Sequence, residues 1–275
     1  MTAMASATEQ PRAAVIVPIY NAAAVLRDCL ESLRRTLTAD DQLILIDDAS
    51  SDPEIGALLA TFADQAPCPL RLERNARNLG FVRTVNLGMA LTRADVVLLN
   101  SDTVVTKGWL QRLQQAAQSS ARIATVTPFS NHAEICSFPL FCQQNPLPVD
   151  PEQTAAQLAA LTPQYPELPT AVGFCMLIRR AALVELGDFD AATFGRGYGE
   201  ENDFCRRALG HGWRNVLCDN AYVVHRGGVS FAATGEKPGG EALRRLSARY
   251  PGYNAAVAEF IRCDPLAEIR RQAQR

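Results

Sequence analysis

Alternating strand and helix patterns along the first half of this chain predict an α/β fold, a mostly parallel sheet flanked by helices on both faces. The first observation is rhythm. Apolar runs of strand length fall at residues 13–18, 42–47, 70–73, 94–99 and 122–127, separated by segments of helical period at 23–37, 53–65, 81–91 and 107–119. The second is that these runs are continuously apolar, as in Val96-Val97-Leu98-Leu99, where a half-exposed strand would alternate. The third is punctuation: Pro53 and Gly108 stand where helices should begin, the proline at a favoured first-turn position.

Beyond Thr127 the rhythm breaks. Residues 128–169 carry many prolines and one plausible helix, at 151–161, and read as a long excursion over the sheet edge. Loops of that length in a compact domain usually carry function. Order returns with a strand-like run at 171–179, a helix at 180–186, a loop to Gly199 and a helix at 201–209 stopped by Gly210. Strands follow at 215–218 and 221–225, and residues 240–275 read as a helical tail. No internal repeat or low-complexity linker cuts the chain.

Composition narrows the function. With 275 residues, 48% of them hydrophobic, the chain can bury a large core, and a net charge of −2 lacks the basic excess that nucleic-acid binding needs. Eight cysteines without a C-x-x-C pair read as reduced, mostly buried thiols. Residues 1–10 lack a charged segment followed by an apolar one and read as a floppy lead-in, and no run reaches the length of a membrane span. Cytoplasmic placement is expected, with peripheral attachment at the inner face of a membrane left open.

The chemistry gathers at predicted strand ends, where ligands bind in open α/β sheets. Val96-Val97-Leu98-Leu99-Asn100-Ser101-Asp102-Thr103 runs from a buried strand into an acidic turn. Asn100 and Asp102 fall on the same side of an extended chain and could hold a hard divalent cation that keeps water and phosphate oxygens; alone, the pair would also fit an Asx turn. Pro18-Ile19-Tyr20-Asn21 closes the first strand and Asp47-Asp48 the second. Adjacent acids point to opposite sides, so one can be structural while the other accepts hydrogen bonds from a base or ribose; alone, the pair would equally fit two solvated turn acids. Asn78 and Gly80 lead into a helix carrying Asn86 and Gly88, a stretch that could approach a diphosphate or merely cap the helix.

Two later signals complete the set. In Gly199-Glu200-Glu201-Asn202-Asp203 three acids cluster at a helix start. The macrodipole lowers a carboxylate pKa there while burial or a neighbouring acid raises it, the opposed tuning that a general base near neutral pH needs. The bland alternative is a favourable acidic first turn with Asp203 paired to Arg206 or Arg207. His225 directly follows the run Ala221-Tyr222-Val223-Val224 and precedes Arg226-Gly227-Gly228, where an imidazole can ligate a cation and glycines can fold over a phosphate. His132 and His211 receive no metal role.

Taken in order, Val17-Pro18-Ile19-Tyr20-Asn21, Asp47-Asp48-Ala49-Ser50, Asn78-Leu79-Gly80-Phe81 with Asn86 and Gly88, Asn100-Ser101-Asp102, Gly199-Glu200-Glu201-Asn202-Asp203 and His225 resemble the family 2 inverting nucleotide-sugar glycosyltransferases of GT-A fold. The resemblance implies a GT-A domain at 13–235, with a nucleotide-binding half at 13–127 and an acceptor-side half at 128–235, between a lead-in at 1–12 and a tail at 236–275. It implies Asp48, with Asp47 nearby, as the nucleoside-contacting acid, and Pro18, Tyr20, Asn21, Asn78, Gly80, Asn86, Asn100 and Ser101 as donor-side residues. Asp102 matches the last acid of the family's D-x-D and would bind Mn²⁺ or Mg²⁺ with His225. Glu201 matches the second acid of the family's E-D pair, the base on the acceptor hydroxyl, with Glu200 as the other candidate. Asn100 replaces an Asp and Glu201 is one methylene longer than the usual Asp. The stretches 129–139 and 169–175 resemble bacterial members that build surface polysaccharides.

The activity so implied moves a hexosyl or deoxyhexosyl group from a UDP- or dTDP-sugar to a saccharide or lipid-linked glycan acceptor. A sugar-phosphate nucleotidyltransferase would want a Gly-rich basic loop after the first strand, and Pro18-Ile19-Tyr20-Asn21-Ala22-Ala23-Ala24 is neither. A catalytically inactive nucleotide- or sugar-binding module is the non-enzymatic alternative.

Overall fold

A computed structural model of the protein describes residues 13–195, 197–227 and 240–275. The expected lead-in at 1–12 and the expected junction at 235/236 lie outside them. In chain order the first half runs β1 (Ala13–Ile19), α1 (Ala23–Thr36), β2 (Gln42–Asp47), α2 (Pro53–Ala63), β3 (Leu70–Arg74), α3 (Phe81–Ala90), β4 (Asp95–Leu99), β5 (Thr103–Val105), α4 (Trp109–Gln118) and β6 (Ile123–Phe129). The second half adds a single 3-10 turn at Glu134–Cys136, then α5 (Pro151–Ala159), β7 (Glu167–Leu168), β8 (Cys175–Ile178), α6 (Arg180–Leu186), α7 (Ala191–Phe194), α8 (Glu200–Gly210) and β9 (Arg214–His225). Three tail helices close the chain: α9 (Glu241–Arg249), α10 (Tyr253–Cys263) and α11 (Ala267–Ala273).

The sheet order is β3-β2-β1-β4-β8-β6-β9-β5, with β7 also on β9. The first four strands pair in parallel, as do β6 and β9. Strand β8 is antiparallel to both its neighbours, β4 and β6, so β1, β2, β4, β6 and β9 all point their carboxyl ends the same way. That shared edge positions the site.

The continuous apolar runs have a direct physical cause. Side chains alternate across a strand, so Val15 and Val17 of β1, Leu43 and Leu45 of β2 and Val97 and Leu99 of β4 enter one core layer under α1, α2 and α4. Ala14 and Ile16, Ile44 and Ile46, and Val96 and Leu98 enter the opposite layer under α3, α6 and α8. Each fully buried Val, Ile or Leu contributes about 1.5–3 kcal/mol. Helix starts follow local rules: Asp52 accepts a 2.9 Å bond from the Glu54 amide ahead of Pro53. Gly88 lets α3 lie against the sheet, since a Cβ there would stand 2.6 Å from Ile16 Cγ2.

Four expectations need correction. The two strands expected at 215–218 and 221–225 are one strand, β9; Asp219 and Asn220 look like turn residues but form an irregularity across which the register with β6 jumps from Pro128↔Cys218 to Phe129↔Tyr222. Strand β5 was not expected, because three residues are too few to show a period. The expected loop to Gly199 contains α7, capped by Asp190 on the Thr193 amide at 2.9 Å. The N-cap of α3 is Gly80 with no side-chain bond, so Asn78 does not cap it. The tail packs back on the body: Leu246 and Tyr253 meet Phe194, and Leu266, Ile269 and Ala273 join the first core layer. All eight cysteines are free thiols, with Cys142 and Cys263 exposed.

Candidate active site

A cleft of about 340 Å³ opens at the carboxyl edge of the sheet. One wall comes from the ends of β1, β2 and β4 and the start of α3: Pro18, Tyr20, Asp48, Asn78 and Gly80, then Asn100, Ser101 and Asp102. The facing wall comes from the second half: His132 to Glu134, Val172 to Phe174, Tyr198, Glu200, Glu201 and His225. Five carboxylates, Asp48, Asp102, Glu134, Glu200 and Glu201, line it, and no Lys or Arg does so among the described residues.

The acids at the end of β2 divide as alternation requires. Asp47 turns away, pairs with Arg74 and accepts the Ser50 amide at 2.8 Å. Asp48 faces the cleft, and its carboxylate accepts the amides of Leu79 (2.7 Å) and Gly80 (2.8 Å) and the Asn75 side chain (2.8 Å). It thereby fixes the loop that carries Asn78. Gly80 can serve there because its φ of 82° suits a residue without a Cβ.

Asp102 and His225 meet through the pairing of β5 with β9, in which Thr103 lies opposite His225. His225 Nε2 is 3.5 Å from Asp102 Oδ1. A small divalent cation bonds oxygen or nitrogen at about 2.1 Å, so one ion can touch both atoms. The other ring nitrogen, Nδ1, lies 2.8 Å from the His132 carbonyl, which can only accept. A hydrogen bond there puts the proton on Nδ1 and leaves the Nε2 lone pair for a ligand. Among the described residues no three His, Cys, Asp or Glu side chains cluster as a complete metal cage. The pair fits a cation that takes its remaining ligands from phosphate and water, the usual habit of Mg²⁺.

At the start of α8 the acids behave differently. Gly199, at φ 101° with the Phe194 ring 3.0 Å from where a Cβ would stand, lets the chain turn into the helix. One oxygen of Glu200 and one of Glu201 are buried without a partner. Burial, reinforced by Glu201, pushes the Glu200 carboxyl well up, and burial also pushes Glu201 up, to about 7. The macrodipole does not win. The Glu201 carboxyl lies over Gly173, whose Cβ would be 3.7 Å from Glu201 Cδ. Asp203, two residues on, is fully buried and takes no part in the cleft: it accepts Arg207 Nε (2.8 Å), Arg249 (2.7 Å) and Tyr250 Oη (2.9 Å), which ties α9 to α8.

The family model described as Glycosyl transferase family 2 matches residues 14–187. The chain belongs to that family. Glycosyltransferase GlyG of Streptococcus pneumoniae is 25% identical over 121 residues, 44% of this chain and 40% of that protein. The N-acetylglucosaminyl-diphospho-decaprenol L-rhamnosyltransferase of Mycobacterium tuberculosis is 25% identical over 236 residues, 77% of this chain and 75% of that protein. The chain thus spans less than half of GlyG. Among solved structures, GalNAc-T7 with UDP, GalNAc and Mn²⁺ superposes with a TM-score of 0.62 at 16% identity, covering 96% of this chain and 55% of that one. That likeness is one of fold, and the α/β architecture of this family 2 protein is of the GT-A type.

Within this family 2 chain three expected donor-side residues stand outside the cleft. Asn21 accepts the amides of Ser51 (2.9 Å) and Asp52 (3.0 Å) and braces the loop after β2. Asp47 is committed to Arg74. Asn86 bonds the backbone of Phe189 at 2.8 and 3.3 Å and pins α3 to the approach to α7. Among the cleft residues left unassigned in the sequence are Glu134; Phe174, stacked on His225 at 5.1 Å; His132, stacked on His225 at 5.6 Å; and Gly173 under Glu201. The Gly173-Phe174 stretch and the segment around Glu134 were both legible only as parts of the resembling stretches 169–175 and 129–139, and Glu134 sits where no period marks it.

Proposed function

We propose that this family 2 protein is an inverting glycosyltransferase that moves a sugar from a nucleoside-diphosphate sugar to a hydroxyl of a saccharide or lipid-linked glycan. The observation that carries this reading is the convergence of Asp102, His225, Glu200 and Glu201 on one cleft from three distant stretches of chain. A divalent cation, Mn²⁺ or Mg²⁺, held by Asp102 and His225 would supply neutralisation of charge on the departing diphosphate. The absence of Lys and Arg from the described lining supports that need, since the acidic lining offers a diphosphate no positive charge of its own. It also disfavours a nucleotidyltransferase, which must grip a triphosphate.

Glu201 is the base. It lines the cleft and is the less buried of the two, and burial pushes its carboxyl up to about 7, into the range of a base working near neutral pH, while Glu200 is pushed up as well. The acceptor oxygen forms its bond to the anomeric carbon from the face opposite the diphosphate, the bond from that carbon to the diphosphate oxygen breaks, and the hydroxyl proton passes to Glu201. One displacement inverts the centre without a protein nucleophile.

Asp48, Asn78, Asn100 and Ser101 contact the nucleoside and diphosphate on the opposite wall. UDP- and dTDP-sugars are the favoured donors, and the acceptor in the mycobacterial relative's name supports a lipid-linked diphosphosaccharide in bacterial surface-glycan synthesis, met by a cytoplasmic protein at the inner face of the membrane. No helix among the described residues is long and apolar enough to cross a membrane. The test is a screen of nucleotide-sugar hydrolysis and of UDP, dTDP and GDP binding with and without Mn²⁺. Metal-dependent donor turnover lost in Glu201→Gln is the expected result; metal-dependent binding with no turnover on any acceptor would mark an inactive module.

A further inference from the structure

Residues 128–169 belong to the half expected on the acceptor side. Their best-ordered polar contacts do something else. Asn131, only 3% exposed, donates from its side-chain amide to the His225 carbonyl at 3.0 Å and accepts the His225 amide at 2.9 Å. A side-chain amide pairs with a backbone residue as a neighbouring strand would, on the end of β9, where His225 also lies opposite Thr103 of β5. The next residue supplies the His132 carbonyl at 2.8 Å from His225 Nδ1.

The strap is itself fastened. Buried Asn145 donates to the Asn131 carbonyl at 3.2 Å, and its own amide reaches the same oxygen at 2.9 Å. Its side chain also closes the turn by bonding Leu140 at both amide (3.0 Å) and carbonyl (2.9 Å). The ring of His225 stacks with those of Phe174 and His132, and His132 fits against the chain only because residue 227 is glycine: a Cβ there would stand 2.2 Å from His132 Nδ1.

We propose that Asn131 is a positioning residue which, with the His132 carbonyl, fixes His225 as the Nδ1–H tautomer with its Nε2 lone pair aimed beside Asp102. The inference rests on the reading of Asp102 and His225 as a cation-holding pair. A backbone carbonyl on the far nitrogen of a ligating histidine sets its tautomer and raises its basicity, and loss of such a partner costs about 10–100-fold in metal affinity. Asn131 touches neither sugar nor metal, so its loss acts on affinity for the ion and leaves the acid–base step at Glu201 in place.

The experiment has two readouts on the full chain. Two-bond ¹H–¹⁵N correlation of the metal-free protein at a pH where the imidazoles are neutral should show Nδ1 of His225 protonated and Nε2 bare. Asn131→Ala should mix the two tautomers, raise the Mn²⁺ concentration for half-maximal UDP binding about tenfold, and lower kcat at saturating metal far less. Asn131→Ser, which keeps one hydroxyl for either bond, should fall between and serves if the alanine variant does not fold. A folded variant that keeps the single Nδ1–H tautomer overturns the proposal whatever its metal affinity. Wild-type protein that binds UDP without regard to Mn²⁺ overturns the cation reading instead, and the tautomer measurement still decides the role of Asn131.

Discussion

Asp48 and Glu201 face each other as carboxylates on opposite walls of one cleft, and their surroundings could hardly differ more. Asp48 accepts two backbone amides and one side-chain amide, all from the loop after β3. Glu201 and its neighbour Glu200 each leave an oxygen buried with no partner. Saturated with donors, the first acid holds a loop in shape; with one oxygen buried and unpaired, the second is pushed toward its protonated form. An unsatisfied buried carboxylate costs stability, and such groups persist where their chemistry is needed. The donor wall is built for fixed geometry and the acceptor wall for a proton in transit.

The sharpest way to break this contrast is Glu201→Gln. It should lower kcat by about 10²–10⁴-fold, the worth of a general base, while donor binding in Mn²⁺ stays intact. The wild-type rate should rise with pH through about 7 as Glu201 ionises, and that limb should vanish in the variant. Stability should move the other way. A folded-state pKa raised from 4.5 to about 7 means that the native protein binds more protons than the unfolded chain between those values. Stability therefore falls as pH climbs through that window, and the full penalty stands above it. Glu201→Gln should melt higher than wild type at pH 8 and differ little at pH 4, by thermal denaturation. A variant less stable than wild type at pH 8 would show that the Glu201 carboxylate supports the fold instead of straining it.

Next in size is the pair that bridges the walls. Asp102→Ala should weaken UDP binding in Mn²⁺ by about tenfold or more, equivalent to about 1.4 kcal/mol, and change it little without the ion. Calorimetry with and without metal reads both. Equal loss in the two conditions would assign Asp102 a direct contact with nucleotide.

Asp48→Ala tests the donor wall itself. It orphans the amides of Leu79 and Gly80, at about 1–3 kcal/mol for each group left buried and unpaired, and takes one partner from the Asn75 side chain, which keeps Thr84 at 3.1 Å. A loss of about 3 kcal/mol in urea denaturation is expected, together with weaker donor binding as the Asn78 loop loosens. A stable variant with intact binding would remove the distinction between a saturated wall and a starved one.

The walls were not equally legible in the sequence. Apolar strands announce their carboxyl ends, so Asp48, Asp102 and His225 could be placed at one edge from β2, β4 and β9 alone, and an acidic helix start after glycines marked Glu200 and Glu201. Glu134 and the Asn131–His132 strap lie where no period exists, and the strap's function depends on contact with His225, 94 residues from Asn131. Over-reading had the same cause. Asn86 resembles a ligand contact until Phe189, 103 residues away, takes both ends of its amide. Local pattern reports where a side chain starts, and distant chain decides what it meets.

Asn21 gives the smallest effect and the cleanest control, because motif position places it with the donor and geometry places it in a brace. Its oxygen takes the Ser51 and Asp52 amides at a rim that is partly open to water, so the amides it leaves can be solvated. Asn21→Ala should therefore cost about 1 kcal/mol. Its φ of 55° adds to that cost, since alanine tolerates the left-handed region less well than asparagine. The donor KM should not move. A rise in KM without a matching loss of stability would return Asn21 to the donor and extend the saturated wall by one residue beyond Tyr20.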